Sequence, residues 1–396
     1  MLDKSKNKGV NHPYLRNINV RWFEFDVSDL LEMPFEMQEA DRYSIKHGDL
    51  VICEGGEPGR CAVWDKTEPI MFQKALHRVR FFGEINSHFI SNVIYLYCLN
   101  GFITTFFTGS GIKHLTGESL ANIPIPMPPI KEQQRILKSV NSFDIIIQQI
   151  TDDKKLLSNT IILIKSKIID LAMQGKLVPQ DPADEPAADM LRRVNPKAKI
   201  ITDNPQCRNL PLGWTLCQLR DLCLFLSRGK SPKYSETPNQ YPVFAQKCNL
   251  KDGDISLTQA RFLDENTISK WPEKYRLRDG DVLVNSTGTG TVGRTRMFKS
   301  EYLGNYPFVV PDSHVSVVRS FDEIDSTYIF YCLYCQDGQQ YFAENLAGST
   351  NQKELYIDVI GDKSIMLPPI NEQKRIVAKI EEQYSVLYEI EASLRS

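Results

Sequence analysis

Apolar residues recur from Ile136 to Leu171 in alternating steps of four and three: Ile136, Val140, Phe143, Ile147, Ile150, Lys154, Leu157, Ile161, Ile164, Ile168 and Leu171. Ten of these eleven positions are apolar, Lys154 being the exception. A surface helix of 3.6 period drifts out of such a register, so five heptads in phase predict a coiled-coil seam. The same phase returns as Ile376, Ile380, Gln383, Leu387, Ile390 and Leu394. The first helix is predicted over roughly 130–174, about 65–70 Å at 1.5 Å per residue. Gly175 suits its C-cap. Proline pairs precede both helices, where a missing N–H costs nothing.

The chain is written twice. Pro128-Pro129-Ile130-Lys131-Glu132-Gln133-Gln134-Arg135-Ile136 recurs 240 residues later as Pro368-Pro369-Ile370-Asn371-Glu372-Gln373-Lys374-Arg375-Ile376. Gly109-Ser110 has a counterpart in Gly348-Ser349, and Leu115 in Leu355. Lys46-His47-Gly48-Asp49-Leu50-Val51 matches Arg278-Asp279-Gly280-Asp281-Val282-Leu283, each followed by a loop ending in Gly-Arg, at Gly59-Arg60 and Gly293-Arg294. Asn19-Val20 pairs more weakly with Asn249-Leu250. Ordered landmarks at near-constant offset mean a duplicated module.

Each copy opens with strand-like alternation and Gly turns and ends in a heptad helix. The predicted architecture is α+β, with two mixed recognition domains separated by a long two-helix antiparallel coiled coil. The parts are 1–128, the first globular domain; 129–177, the central helix; 178–206, a polar, proline-rich linker; 207–367, the second globular domain; and 368–396, the C-terminal helix.

Composition narrows the class. The 396 residues carry 49 acids and 47 bases, which excludes a polybasic protein but not one with local basic patches. The most apolar stretch, Thr160 to Met173, is broken by Lys165, Lys167 and Asp170, so no transmembrane span is expected. The N-terminal stretch lacks the apolar core of a signal peptide. A cytoplasmic location follows, with the nine cysteines as free thiols. Cys332 and Cys335 form a lone C-x-x-C in an aromatic run and read as core packing; no metal site is expected.

Two similar globular parts at fixed spacing make a ruler, and DNA is the natural object for one. Residues 226–299 hold thirteen Lys/Arg against eight Asp/Glu, whereas residues 1–128 hold 13 against 15. Basic loops neutralise phosphates, and Arg reads guanine edges. The candidate DNA contacts in the second copy are Arg228, Lys230, Lys233, Lys247, Asn249, Arg294, Asn351, Gln352 and Lys353. In the first they are Arg16, Asn19, Arg60, Ser110, Lys113 and His114.

The doubled Pro-Pro-Ile-x-Glu-Gln-x-Arg-Ile signature resembles the DNA specificity subunit of type I restriction–modification systems. Leu171-Ala172-Met173-Gln174-Gly175-Lys176-Leu177-Val178 is similar to that family's end of the central helix, and Leu212-Gly213-Trp214-Thr215-Leu216 to the opening of a target recognition domain. The resemblance implies a non-catalytic subunit whose two domains each read half of a bipartite site in double-stranded DNA. It implies that the helices set the spacing and dock two copies of a modification subunit, an adenine methyltransferase, while a separate motor-nuclease restriction subunit cuts. S-adenosylmethionine and ATP then belong to those partners, and this chain needs no cofactor. The heptad residues would carry docking. Against the family pattern the first domain is about 20 residues short, without a counterpart of Trp214-Thr215-Leu216 or of the Gly229–Pro232 loop, and nothing matches Leu157–Lys176 after the last helix.

Two other readings stay open: a coiled-coil scaffold whose ends bind protein, and a specificity subunit without a working first half-site. Gly288–Gly293 fits the dinucleotide motif G-x-G-x-x-G, but no helical period follows it, so a Gly-rich hairpin is expected. No Asn-Pro-Pro-Tyr motif for a flipped adenine occurs, and the six histidines are scattered.

Overall fold

The computed structural model describes residues 8–251, 253–348 and 353–395. Its contacts divide the chain into two compact units, 1–152 and 153–396. The duplication is visible in both.

In the first unit Val10–Leu15 lies antiparallel to Leu31–Phe35 and parallel to Ile70–Phe72, with Ser44–Ile45 at the far edge. A second sheet runs Cys61–Val63, Leu50–Cys53, Leu76–Val79. Helix Ser87–Leu99 packs its apolar face, Phe89, Ile90, Val93 and Ile94, on that sheet's Leu50, Ile52 and Cys61. Asn86 caps it, accepting from the His88 and Phe89 amides.

The second unit repeats this plan and adds to it. Pro242–Phe244 pairs parallel with Val310–Pro311, as Val10–Leu15 does with Ile70–Phe72. Val282–Asn285 lies between Thr295–Met297 and Val315–Ser320, and Cys223–Arg228 extends this sheet by one strand. A third sheet orders Ser364–Leu367, Thr215–Gln218 and Ile200–Ile201. Helix Ser326–Tyr334 is capped by Asp325, the counterpart of Asn86.

Helix Ile130–Met173 is continuous over 44 residues, close to the predicted span. Gly175 caps it at φ +67°: its amide donates to Ala172 and that of Lys176 to Leu171, a Schellman arrangement. The heptad expectation needs correction along half its length. Ile161 and Ile168 are buried in one core with Ile376, Ile380 and Leu387 of helix Ile370–Arg395, and Leu394 packs against it. Leu171 is half-buried. Phe143, Ile147 and Ile150 are 65%, 60% and 51% exposed, and Ile136, Leu157, Ile164 and Ile390 are exposed too, with Val140 intermediate. Helix Ile370–Arg395 spans 26 residues and Ile130–Met173 spans 44, and the burial of the seam is confined to its later heptads.

The 178–206 segment is no loose linker. Its helix Ala187–Val194 buries Met190 and Leu191, whose adjacent positions face the core, and Ile200–Ile201 pairs with Thr215–Gln218. Asp184 holds Arg375 at 2.7 Å, which lowers the Asp184 pKa. The glycine run folds as the expected hairpin loop between Val282–Asn285 and Thr295–Met297. Gly288 sits at φ +111°, and a Cβ there would fall 2.3 Å from Thr291 Oγ1.

Cys332 and Cys335 are buried, and burial pushes both thiols up. Cys335 Sγ accepts the Gly338 amide at the start of helix Gln336–Glu344. No group of three or more His, Cys, Asp or Glu among the described residues is arranged to hold a metal ion. No described helix is long and apolar enough to cross a membrane.

Candidate nucleic-acid interface

The loops that end the central hairpins organise the site in each unit. In the second unit the Gly293 amide closes back on the Asn285 carbonyl, and the Asn285 amide donates to the Arg294 carbonyl. Gly59, Cys53 and Arg60 do the same in the first. The equivalence of Gly59-Arg60 and Gly293-Arg294 is therefore structural. That of Asn19 and Asn249 is shifted by one. The parallel strand pairing sets Leu15 opposite Phe72 and Phe244 opposite Pro311, which aligns Asn17 with Gln246 and Val20 with Asn249.

Around the second loop, Arg294 Nη1 donates to the Asn249 carbonyl at 2.6 Å. Asn249 Nδ2 donates to Asn285 Oδ1 at 2.7 Å, and Asn285 Nδ2 to the Gln246 carbonyl at 3.2 Å. Thr287 Oγ1 lies 2.7 Å from His314 Nδ1. Arg228 donates Nε to the Ser313 carbonyl at 3.0 Å and pairs through Nη1 with Glu354. Glu354 bridges to Thr287 and Ala347. The structure thus brings Arg228, Asn249, Arg294 and Lys353 to one loop cluster. Lys247 and Lys353 point into solvent with no ion-pair partner among the described residues. Lys230 lies 4.0 Å from the Tyr275 ring centroid and donates to the Lys270 carbonyl, and Lys233 pairs with Asp264 at 2.6 Å. Asn351 and Gln352 lie outside the described residues.

Asp312 sits behind this cluster, 3% exposed, its Oδ1 accepting the His314 amide. Burial raises its pKa, and the charges of His314 and Arg228 oppose that rise.

The first unit is built alike. Arg60 donates Nη2 to the Asn17 carbonyl at 2.9 Å and pairs with Glu57. Asn17 Nδ2 reaches the Gly55 carbonyl at 2.8 Å. Thr108 and His114 exchange backbone bonds of 2.8 and 2.9 Å, closing a loop that exposes Ser110, Lys113 and His114.

Several candidates are engaged in holding the loops. Asn19 is buried, accepts the Arg16 amide, and donates to the Asp26 and Asp29 carbonyls. Asn249 is fully buried, with Oδ1 unpartnered. Neither side chain faces a base edge in this conformation. Arg16 is tied to Asp29 at 2.9 Å. Sequence reasoning missed Gln246, Thr287 and Glu354. Their signal lies in strand register, which aligns Gln246 with Asn17 and Glu354 with His114, and not in any local motif.

The recurring Pro-Pro-Ile-x-Glu-Gln motif also gains a physical role. Gln133 accepts the Asn86 amide at 3.0 Å and donates to the Pro128 carbonyl at 2.9 Å. Gln373 accepts the Asp325 amide at 2.9 Å and donates to the Pro368 carbonyl at 2.9 Å. Each buried glutamine locks the capped start of its unit's helix to the first turn of a heptad helix.

Comparison with known proteins agrees with this arrangement. The family model described as the type I restriction modification DNA specificity domain matches residues 27–182 and 211–395. The EcoEI specificity subunit of Escherichia coli is 26% identical over 351 residues, covering 73% of this chain and 58% of that protein. The EcoKI specificity subunit of Escherichia coli K12 is 20% identical over 99% of this chain and 80% of its own length. The chain thus spans little more than half of the EcoEI subunit. Among solved structures, the HsdS subunit from Thermoanaerobacter tengcongensis superposes with a TM-score of 0.59 at 21% identity, over 99% of this chain and 89% of that one, and shares the fold. With the matched segments covering most of both copies, the chain belongs to the type I restriction–modification DNA specificity family.

Proposed function

We propose that this chain is the DNA-reading subunit of a type I restriction–modification complex, working in the cytoplasm without a catalytic group of its own. Its two units read the two halves of a bipartite site in double-stranded DNA. Helices Ile130–Met173 and Ile370–Arg395 pair as an antiparallel coiled coil and fix the gap. Two contacts support that direction: Gln180, past the end of the first helix, meets Glu372 at 3.0 Å, whereas Lys165, further back, meets Glu391 at 2.8 Å. Two modification subunits dock on the helices and bring S-adenosylmethionine; the motor-nuclease subunit brings ATP hydrolysis.

The observation that carries the reading is the pair of equivalent Gly-Arg loops, each tied to a neighbouring backbone carbonyl and each beside an equivalent bridge, Thr108 to His114 and Ala347 to Glu354, next to an exposed lysine, Lys113 and Lys353. Such loops offer cations to phosphates and side chains to groove edges. Adenine-methylation mapping of DNA from cells co-expressing this chain and a modification subunit tests it. A split motif with two defined halves and a fixed gap is expected. A single defined half supports the second reading, a subunit whose first head no longer reads. Docking without DNA affinity points to a scaffold.

A further inference from the structure

Three polar side chains of the second unit meet at its central loop, and each comes from a different part of the sheet. Gln246 follows strand Pro242–Phe244, Thr287 follows Val282–Asn285, and His314 precedes Val315–Ser320. Thr287 Oγ1 lies 3.4 Å from Gln246 Oε1 and 2.7 Å from His314 Nδ1, so one hydroxyl joins the carboxamide to the imidazole. Gly288 makes the room: a Cβ there would fall 2.4 Å from Gln246 Oε1. Gln246 is half-buried and His314 exposed. Among the described residues neither Gln246 Nε2 nor His314 Nε2 has a hydrogen-bond partner. Lys247 follows Gln246 in the chain, and Lys353 precedes Glu354, whose backbone bridges to Thr287; both lysines are exposed. The row thus combines the two kinds of group a duplex calls for: cations for phosphates and directional polar atoms for base edges.

The first unit fills the same three places differently. Asn17 stands in the place of Gln246, but its Nδ2 is taken by the Gly55 carbonyl at 2.8 Å and its Oδ1 is buried. Cys53 matches Asn285, which puts Gly55 in the place of Thr287. The Glu54 amide donates to the Ala75 carbonyl as the Ser286 amide does to that of His314, which puts Ala75 in the place of His314. The His114 ring takes the space a side chain at Gly55 would fill, with Nδ1 3.0 Å from a Cβ there. One scaffold therefore carries different groups at matching places, as two heads that read different half-sites require.

We propose, resting on the DNA-reading function set out above, that Gln246 is a specificity-determining residue of the second unit and reads an adenine. Thr287 and His314 are its positioning residues. A carboxamide offers an acceptor beside a donor, which matches the N6 amino group and N7 of adenine in the major groove. Oε1 keeps a second lone pair after accepting from Thr287, and Nε2 is unspent, so both remain on offer. The Thr287 hydroxyl has one proton. Given to Gln246 Oε1, it leaves Thr287 to accept from His314 Nδ1, and it fixes which end of the carboxamide is the acceptor. Guanine presents O6 where adenine presents its amino group, so two acceptors then face one another and guanine is rejected.

Adenine-methylation mapping of DNA from cells co-expressing each variant with the modification subunit tests this. The unaltered chain is expected to give a split motif. Gln246→Ala is expected to open one adenine position of one half to any base, with discrimination there down about tenfold or more. The other half and the gap stay unchanged. Thr287→Val keeps the shape and loses the hydroxyl, so it is expected to accept guanine as well as adenine at that same position. An unchanged motif in Gln246→Ala overturns the proposal. So does loosening spread over several positions or over both halves, or an opened position that the unaltered chain does not read as adenine. A Thr287→Val motif identical to that of the unaltered chain overturns the hold assigned to Thr287 and His314. An unaltered chain that gives no split motif overturns the DNA-reading function itself, and this inference with it.

Discussion

Arg319 grips Asp281 through both carboxylate oxygens, Nε to Oδ1 and Nη2 to Oδ2, each at 2.7 Å. Arg80 does the same to Asp49 at 2.6 and 2.5 Å. In both units the aspartate also accepts the amide three residues back, from Arg278 or Lys46, and so pins the Gly-Asp turn to the neighbouring strand. Asp281 is fully buried, and burial raises its pKa against the pull of Arg319. Removing one partner of a buried pair leaves an uncompensated charge, at a cost of about 3–5 kcal/mol. Arg319→Ala is therefore expected to lower the unfolding midpoint of the second unit strongly. Arg80→Ala, at the more exposed pair, costs less. Thermal unfolding followed by amide exchange in each unit checks the order.

The glutamine clamps separate fold from motif. In Gln373→Ala the Asp325 amide and the Pro368 carbonyl both lose their partner. At about 1–3 kcal/mol for each unsatisfied buried group, the loss is several-fold larger than for an exposed Gln. Gln373→Glu keeps the acceptor and loses the donor, so an intermediate loss is expected. Denaturant titration of the three proteins ranks them.

Position along the heptad helix decides the effect of truncation. Ile161→Ala removes a fully buried side chain and is expected to destabilise the chain by about 2–5 kcal/mol. Ile147→Asp, at an exposed position, leaves stability within about 0.5 kcal/mol and weakens capture of a modification subunit. A stable Ile147→Asp protein with full capture removes the early heptads from the docking surface. Proline at Ile161 breaks the helix and is expected to abolish assembly.

Loop cations divide by what they already touch. Lys353→Ala and Lys247→Ala remove solvent-facing charges, so each is expected to lower DNA affinity and to reduce the slope of log affinity against log salt by about one. Arg294→Ala frees the Asn249 carbonyl and loosens the loop, so it lowers affinity with a rise in amide exchange over residues 285–294. Unchanged affinity in both Lys353→Ala and Arg294→Ala takes the cluster out of the interface.

Asp312 gives a pH signature. Its folded pKa is raised, so near neutral pH the chain holds a buried carboxylate that the unfolded state solvates better. The stability linked to its proton is present below the unfolded value of 3.8 and is lost as pH rises through the folded value. Asp312→Asn, which still accepts the His314 amide, is expected to raise the unfolding midpoint at pH 7 and to lose that advantage below about pH 4. A constant difference across that range shows that the carboxylate is fully compensated.

The duplication, the helix from Ile130 and its cap at Gly175, the hairpin at Gly288–Gly293 and the family are all legible in the order of residues along the chain. Each is written in local order: a 3–4 period, a repeated motif, a glycine where the backbone turns left-handed. That order did not determine which heptads are covered, because a period states which face is apolar and not what meets it. Nor did it foresee that Asn19 and Asn249 turn inward, that Gln133 and Gln373 act as clamps, or that Arg80 answers Arg319. Those relations join residues up to 48 positions apart through strand pairing and burial. They emerge from the folded packing, since a polar side chain's role is set by the partner that burial leaves within hydrogen-bond reach.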